Sequence, residues 1–328
     1  MHRNGSFSVC ILLLLISPLF PSSAPGAELT SQTVEAWQRY VALTEARMDA
    51  ELKDGSGFLV TEFMSQEDAA DCRDKVSKGN VCVERLETLD GRGKKVKVPK
   101  GTISHWMGSV RINNAKLDTL IPFVQNYDVH ERYFDDIERS RLIARNGDTF
   151  KFFYRLKQET LWVTVRYNTT HEVSYRSHGT DRVSSASRTT RILELDKAGK
   201  DGEREKPEGK DSGFMWRLNS YWRFQQDGNG VVVTLESLTL SRGIPSLAFF
   251  VGPIVNKISR GLLENALLAL RDGYHAYLQE MVKTSVGSKK NFSGRSRTLQ
   301  RSTRPAVKVH YFPISRFINQ SNRQDAAP

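Results

Sequence analysis

The stretch from Gly213 to Met281 constrains the fold of this chain most strongly, because its hydrophobic period changes within it from two residues to between three and four. Residues 216–224 place apolar or small side chains at even positions and Arg, Asn or Tyr at odd positions, which predicts a β-strand. The sequence Asp-Gly-Asn-Gly at 227–230 tolerates the positive φ angles of a tight hairpin turn. Residues 231–240 then supply the return strand.

The turn predicts how the two strands pair. If Asp227 pairs with Gly230, Tyr221 lies opposite Glu236, with Arg223 one diagonal step away. These polar side chains then share one face of the sheet. The pattern leaves two placements open, because such a face either lines a pocket or meets solvent.

Beyond Pro245 the apolar residues recur every three or four positions, which predicts a long amphipathic helix with a broad apolar face. The residues that form this face are Val251, Val255, Ile258, Leu262, Leu263, Ala266, Leu267, Leu270, Tyr274, Tyr277 and Leu278. Such a helix must bury its apolar face, and the neighbouring strands offer a sheet as its partner.

The elements before the hairpin set the fold class. Capping and periodicity predict helices at 30–53, 65–78 and 117–124, the last of which either continues or restarts through 127–134. They predict strands at 58–63, 81–86, 103–112, 137–144, 150–156, 161–168, 173–177 and 184–195. Runs of strands followed by a helix are typical of an α+β fold. The predicted architecture is therefore a curved antiparallel sheet that grips the long C-terminal helix.

The net charge of +11 is spread unevenly along the chain. Residues 283–328 hold ten Lys or Arg and one Asp, so this tail carries +9 and leaves +2 for residues 1–282. Nucleic-acid binding by the main domain therefore has little support from charge. The tail is predicted to be disordered, either as a solvated tail or as a contact to an anionic membrane surface.

The N-terminus is typical of an export signal. His2 and Arg3 precede an apolar run from Val9 to Ile16, and small residues follow up to Ala27. Cleavage within Ala24–Ala27 would deliver a periplasmic or secreted protein. The alternative is an uncleaved anchor, although the apolar run is shorter than the ~20 residues of a membrane span.

Cys72 and Cys82 remain after signal removal, ten residues apart. In an exported protein they are candidates for one disulfide, and the alternative is two buried free thiols. Two cysteines without neighbouring histidines do not complete a zinc site, so no metal is predicted. The chain also lacks the usual hydrolase, phosphate-loop and metallopeptidase motifs, and no cofactor is predicted.

The element order and several local strings resemble the START-like, or SRPBCC, superfamily of helix-grip domains, which includes polyketide-cyclase-like proteins. The strings are Gly101–Val110, Leu117–Tyr133, Ser187-Arg188-Thr189-Thr190-Arg191 and Trp216–Pro245. The resemblance covers about residues 100–282. It implies a deep, mostly apolar cavity under the C-terminal helix that binds lipids or other hydrophobic small molecules. The family has no single catalytic motif, so the resemblance assigns no catalytic residue.

The predicted domain organisation is a signal peptide (1–27), a helical or mixed extension (28–99), a START-like ligand-binding domain (100–282) and a basic tail (283–328). The candidate cavity residues are Trp106, Tyr127, His130, Tyr154, Arg188, Asn219, Tyr221, Arg223, Glu236, Phe249, Phe250, Leu263 and Leu267. The alternative is that the polar strand residues cover a solvated outer face and that Tyr127 and His130 only pack.

Three functions are compatible with this organisation. The first is an exported binding or carrier protein for a hydrophobic small molecule or lipid. The second is a cyclase or aromatase without a cofactor, which needs convergent polar residues inside the cavity. The third is a membrane-surface interaction module that uses the basic tail.

Overall fold

The computed structural model describes residues 27–159, 164–243 and 248–293. The helices are α1 (Ser31–Asp54), α2 (Gln66–Ser77), α3 (Leu117–Val124) and α4 (Ala248–Ser293), and 3-10 turns lie at Val60–Phe63 and His130–Arg132. The strands are β1 (Ala27–Glu28), β2 (Cys82–Arg85), β3 (Gly101–Asn113), β4 (Ile137–Asn146), β5 (Thr149–Glu159), β6 (Thr164–Ser177), β7 (Arg182–Asp196), β8 (Arg204–Glu205), β9 (Lys210–Asp211), β10 (Arg217–Asp227) and β11 (Gly230–Arg242).

One large antiparallel sheet organises the molecule. Its strand order is β2-β3-β11-β10-β7-β6-β5-β4, with β8 paired to β7. The sheet is curved and does not close into a barrel. Helix α4 lies against β2, β3 and α3 on one face. The α+β helix-grip architecture predicted from the sequence is therefore confirmed.

The central hairpin has the predicted register. Asp227 pairs with Gly230, and Tyr221 pairs with Glu236. Gly228 adopts a φ of 53°, a left-handed conformation that glycine reaches without a steric penalty. Because side chains alternate across a strand, this register decides which residues meet α4.

The inner face of the sheet, which we define as the face toward α4, carries the main core. Leu263 and Leu267 of α4 pack with Val110, Phe224 and Val233 from three neighbouring strands. The helix approaches β3 closely because position 108 is a glycine: a Cβ there would lie 2.5 Å from Cδ1 of Leu267. This close contact fixes α4 over one side of the sheet.

The outer face is covered by α1. The hydroxyl of Thr30 accepts a hydrogen bond from the Thr33 amide at the start of this helix, and Gly55 ends it with a φ of 70°. The apolar residues that join α1 to the sheet are Trp37, Tyr40, Val41, Met48, Trp216, Tyr221, Leu238 and Leu240. The predicted N-terminal extension therefore packs against the sheet as a second layer.

A disulfide joins Cys72 of α2 to Cys82 of β2, with 5.3 Å between the Cα atoms. Both cysteines are completely buried and pack with Val60, Val76 and Met107. The bond thus fixes α2 to the edge strand next to β3.

Several elements differ from the sequence expectation. Helix α3 ends at Val124, and only a 3-10 turn at His130–Arg132 follows it before residue 134. The described parts of the strands predicted at 161–168 and 173–177 belong to one continuous strand, β6.

The prediction of a strand at 58–63 is wrong, because Val60–Phe63 forms a 3-10 turn. The Glu62 carboxylate stabilises this turn by accepting hydrogen bonds from the amides of Phe58 and Leu59. Helix α4 continues to Ser293, past the predicted boundary at 282. Residues 1–26 of the predicted signal peptide and the tail beyond Ser293 lie outside the described residues.

Replacing Gly108 by Ala should lower the free energy of unfolding by about 1–3 kcal/mol, because the new methyl group overpacks the buried contact with Leu263 and Leu267. Gly261→Ala is the matched control. A Cβ at Gly261 meets no described atom within 4 Å. This variant should be stabilised by up to about 1 kcal/mol, since Ala favours the helix over Gly. Urea unfolding of both variants measures the difference, and equal effects would contradict the close docking of α4.

Candidate functional site

Three serines lie side by side on the inner face of the sheet. Ser220 of β10 pairs with Ser187 of β7 on one side and with Ser237 of β11 on the other. We call these three residues the serine row. Neighbouring strands are about 4.8 Å apart, so the row spans roughly 10 Å. Trp106 of β3 continues it next to Ser237, and Val173 of β6 continues it next to Ser187.

Exposure changes along the inner face on either side of the serine row. Toward α3, the residues Val110, Phe224 and Val233 are almost fully buried. At the row and beyond it, half-buried residues lie on β3, β10, β11 and the adjoining part of β7, and these are Ser104, Trp106, Thr189, Leu218, Ser220, Ser237 and Thr239. Ser187 of the row and Ile192 farther along β7 are buried. The closely packed core therefore lies toward α3, and the half-buried residues lie at the other end of the inner face. We use "groove" for the inner face from the serine row to Leu218 and Thr239.

The hydroxyl groups of the serine row are available for a ligand. Within residues 27–159, 164–243 and 248–293, none of the three hydroxyls has a hydrogen-bond partner. A buried or half-buried hydroxyl without a partner favours any molecule that can supply one. Ser187 is only 7% exposed, so the floor of the groove carries a polar group at depth.

An aromatic wall borders the groove on β5 and β6. Tyr127 stacks on Phe152 at 4.0 Å between ring centroids, and Phe152 stacks on His171 at 4.8 Å. The hydroxyls of Tyr127 and Tyr175 are 2.7 Å apart and share a hydrogen bond. The polar atom of Tyr127, a predicted site residue, is therefore satisfied within the wall.

His130 and Tyr154, two further predicted site residues, also meet in this wall. Nδ1 of His130 accepts a hydrogen bond from the Tyr154 hydroxyl, and Nε2 of His130 lies 3.4 Å from the Phe123 carbonyl. Burial lowers the pKa of His130 to about 4 and that of His171 to about 3. Both imidazoles are therefore neutral at pH 7, and the wall is uncharged.

Five other predicted cavity residues lie on the outer face, and their predicted placement under the C-terminal helix is wrong. They are Arg188, Asn219, Tyr221, Arg223 and Glu236, and they belong to strand positions that face α1. The reason is that α1 supplies the charges that complement them, so the polar side of the strands is buried against this helix.

Arg223 and Glu236 are the most deeply buried of these residues, at 3% and 0% exposure. Arg223 donates to the Glu51 carboxylate at 2.6 Å and to the Phe58 carbonyl at 2.9 Å. Glu236 forms an ion pair with Arg47 of α1 and a 2.6 Å hydrogen bond with Nε2 of His105. Each buried charge thus has a charged partner on α1, as burial of ions requires.

A second set of contacts converges on Glu45 of α1. The Tyr221 hydroxyl donates to its carboxylate at 2.6 Å, and Arg188 donates to the same oxygen at 2.8 Å. Asn219 donates to the Tyr221 hydroxyl at 3.1 Å. The Arg188 side chain remains 52% exposed, so this end of the network borders solvent.

The remaining predicted site residues lie near the groove or beyond what is described. Leu263 and Leu267 belong to the core that α4 forms with β3, and Trp106 is half-buried beside the serine row. Phe249 and Phe250 contribute backbone to the first turn of α4, and their side chains lie outside the described part of the chain.

Sequence reasoning missed the serine row itself. Its only signal was the presence of a small residue, Ser220, among the even positions of β10, whose other members face the core. Ser187 and Ser237 become its neighbours through pairings between distant parts of the chain. The sequence pattern instead indicated the polar residues at odd positions, Asn219, Tyr221 and Arg223, as candidate site residues.

The described residues contain no cluster of three or more His, Cys, Asp or Glu side chains that could hold a metal ion. Among the helices that they form, none combines the length and the apolar character needed to cross a membrane.

No known family model and no curated protein matches the sequence. Solved structures do match. A STAR-related lipid transfer protein from Xanthomonas axonopodis has 14% identity and a TM-score of 0.40, covering 59% of this chain and 98% of that chain. Human STARD10 has 11% identity and a TM-score of 0.42, covering 65% and 82%. The Zhui aromatase/cyclase from Streptomyces sp. R1128 has 10% identity and a TM-score of 0.38, covering 55% and 96%. The α+β helix-grip fold of this chain is defined by its own strand order and by the position of α4.

Replacing Arg223 by Leu should cost about 3–5 kcal/mol of unfolding free energy, because it leaves the buried Glu51 carboxylate without its cation. Arg188→Leu is the matched control, since it removes an arginine from the same face of the sheet that also pairs with an α1 glutamate. That pair is half-exposed and should be worth less than about 1 kcal/mol. Denaturant unfolding compares the two, and a small loss in Arg223→Leu would contradict a buried network under α1.

Lowering the pH from 6.5 toward 4 should destabilise the protein through His130 and His171. Their folded-state pKa values of about 4 and about 3 lie below the ordinary value of 6.5, so the unfolded chain binds protons that the folded chain excludes. Each histidine should reduce the free energy of unfolding by about 1.4 kcal/mol per pH unit in this range. His171→Phe should flatten the dependence measured by urea unfolding at pH 7 and pH 5. An unchanged slope would show that His171 is not buried as a neutral ring.

Proposed function

We propose that this protein binds and carries a hydrophobic small molecule or lipid in the groove between the sheet and α4. The observation that supports this most directly is the serine row, whose hydroxyls have no partner among the described residues. A concave, mostly apolar site with a few convergent polar groups is the usual form of a small-molecule site.

The surroundings of the serine row favour an apolar ligand. Trp106, Leu218 and Trp222 are half-buried on the inner face, so each keeps apolar surface that a ligand could cover. Each 100 Å² of apolar surface removed from water contributes about 2.5 kcal/mol. Micromolar binding needs about 8 kcal/mol, so a lipid-sized molecule covering several such side chains would suffice.

The cyclase alternative needs acid and base groups inside the groove. The polar residues that the sequence suggested for this role lie under α1, on the opposite face. His130 uses both ring nitrogens within the aromatic wall, and Nε2 of His171 lies 2.9 Å from the Thr169 hydroxyl. These contacts favour binding without chemistry.

Export from the cytosol belongs to the same proposal. The disulfide between Cys72 and Cys82 supports an oxidising compartment, where a carrier for a poorly soluble ligand would be needed. In this proposal the basic tail beyond residue 282 contacts an anionic membrane, where such a ligand would be collected.

The double variant Ser187→Phe/Ser220→Phe should abolish ligand binding, because two benzyl groups fill the floor of the groove. Ser174→Phe is the matched control, since Ser174 lies exposed on neighbouring strand β6, one position from inner-face Val173. Native mass spectrometry of protein purified from its own host, followed by lipid extraction, should find ligand in the wild type and in Ser174→Phe. Near-UV circular dichroism confirms that each variant is folded.

An empty wild-type protein would contradict the carrier function. Ligand retained by a folded Ser187→Phe/Ser220→Phe variant would show that the ligand binds elsewhere.

A further inference from the structure

The strands that form the floor of the groove carry charged side chains on their outer face and serine hydroxyls on their inner face. On β7, β10 and β11, the ionisable residues Arg188, Arg223 and Glu236 all face α1. The serine row occupies the adjacent positions on the inner face of the same strands. Between the serine row and Thr189, Leu218 and Thr239, the inner-face positions of these strands therefore carry hydroxyl groups and apolar side chains, and the inner-face carboxylate of β7, Glu194, lies five positions beyond Thr189.

From Ser259 to Gly273, within the part of α4 whose side chains are described, the flank next to the groove is formed by uncharged residues. Arg271 donates to the Gly79 carbonyl at 3.0 Å, so its flank of the helix faces the β2 edge of the sheet. Gly273 lies on the opposite flank of α4. A Cβ at this position would lie 2.9 Å from Cβ of Tyr133, so this flank faces the segment after α3. Helical spacing places three small or apolar residues on the flank of Gly273, and these are Ser259, Leu262 and Ala266.

The aromatic wall completes the neutral lining. Burial lowers the pKa of His130 and His171 far below 7 and raises the pKa of the Tyr127 and Tyr154 hydroxyls well above their ordinary value. The buried carboxylate on the inner side of β7 is Glu194, which already pairs with Lys206 at 2.5 Å and with the Ser212 hydroxyl at 2.8 Å. The Glu194 carboxylate is therefore paired within the protein.

A carboxylate or phosphate that entered this groove would lose its hydration without meeting a cation, which is strongly unfavourable. A hydroxyl or carbonyl group would lose less, because each serine hydroxyl can donate one hydrogen bond and accept others. We propose that the part of the ligand that reaches the serine row is neutral and forms hydrogen bonds, as an alcohol or ester does. This inference rests on the proposed function and specifies the chemical class of its ligand.

The experiment compares three probes with one hydrocarbon chain: 1-pyrenedodecanol, the methyl ester of 1-pyrenedodecanoic acid, and the ionised acid. Energy transfer from tryptophan to pyrene reports binding, since Trp106 and Trp222 lie on the inner face. At pH 8 the alcohol and the ester should bind at least about tenfold more tightly than the carboxylate. The triple variant Ser187→Ala/Ser220→Ala/Ser237→Ala should weaken alcohol binding by about fivefold to tenfold and leave carboxylate binding unchanged.

Ser174→Ala on the outer face is the control and should leave all three affinities unchanged. Carboxylate binding as tight as alcohol binding would overturn the neutral-ligand inference and leave the proposed carrier function intact. Equal alcohol affinity in the wild type and the folded triple variant would also overturn it. If none of the probes binds, both the inference and the carrier function fail for ligands of this class.

Discussion

The structure depends on a single constraint, which is that both faces of the β10–β11 hairpin are buried. Its even and odd positions carry different chemistry, so each face needs a different cover. The apolar face of the hairpin packs with α4 and α3. The charged face is neutralised by Glu45, Arg47 and Glu51 of α1. Neither helix could replace the other, because an apolar helix over Arg223 and Glu236 would leave buried ions without partners.

This constraint makes the N-terminal region part of the domain. Without α1, the sheet would expose both a charged layer and the apolar patch around Trp216 and Leu238. The disulfide at Cys72–Cys82 holds the following segment to β2, next to the strand on which α4 docks. One consequence is that the charged groups near the middle of the hairpin take part in holding α1 to the sheet.

The sequence predicted the hairpin, its register and the long helix because each depends on local signals: turn glycines, a period of two and a period near 3.6. It could not predict whether the even or the odd positions of β10 face α4. Both sets of positions pack against other elements, and the partners of Arg223 and Tyr221 lie more than 160 residues away on α1. The serine row could not be predicted for a related reason. A serine gives no hydrophobic signal, and the three serines become neighbours only when strands that are distant in the sequence pair.

The position of α4 bears on the proposed carrier function. Gly108 lets α4 sit so close to β3 that the helix lies over one side of the sheet. The aromatic wall on β5 and β6 is held by its own stacking and hydrogen bonds on the other side. Between them the floor carries the serine row, whose side chains are short. Under the proposed function, the serine hydroxyls meet either water or a molecule that covers the neighbouring tryptophans as well. The second removes more apolar surface from water, and that difference favours a bound ligand.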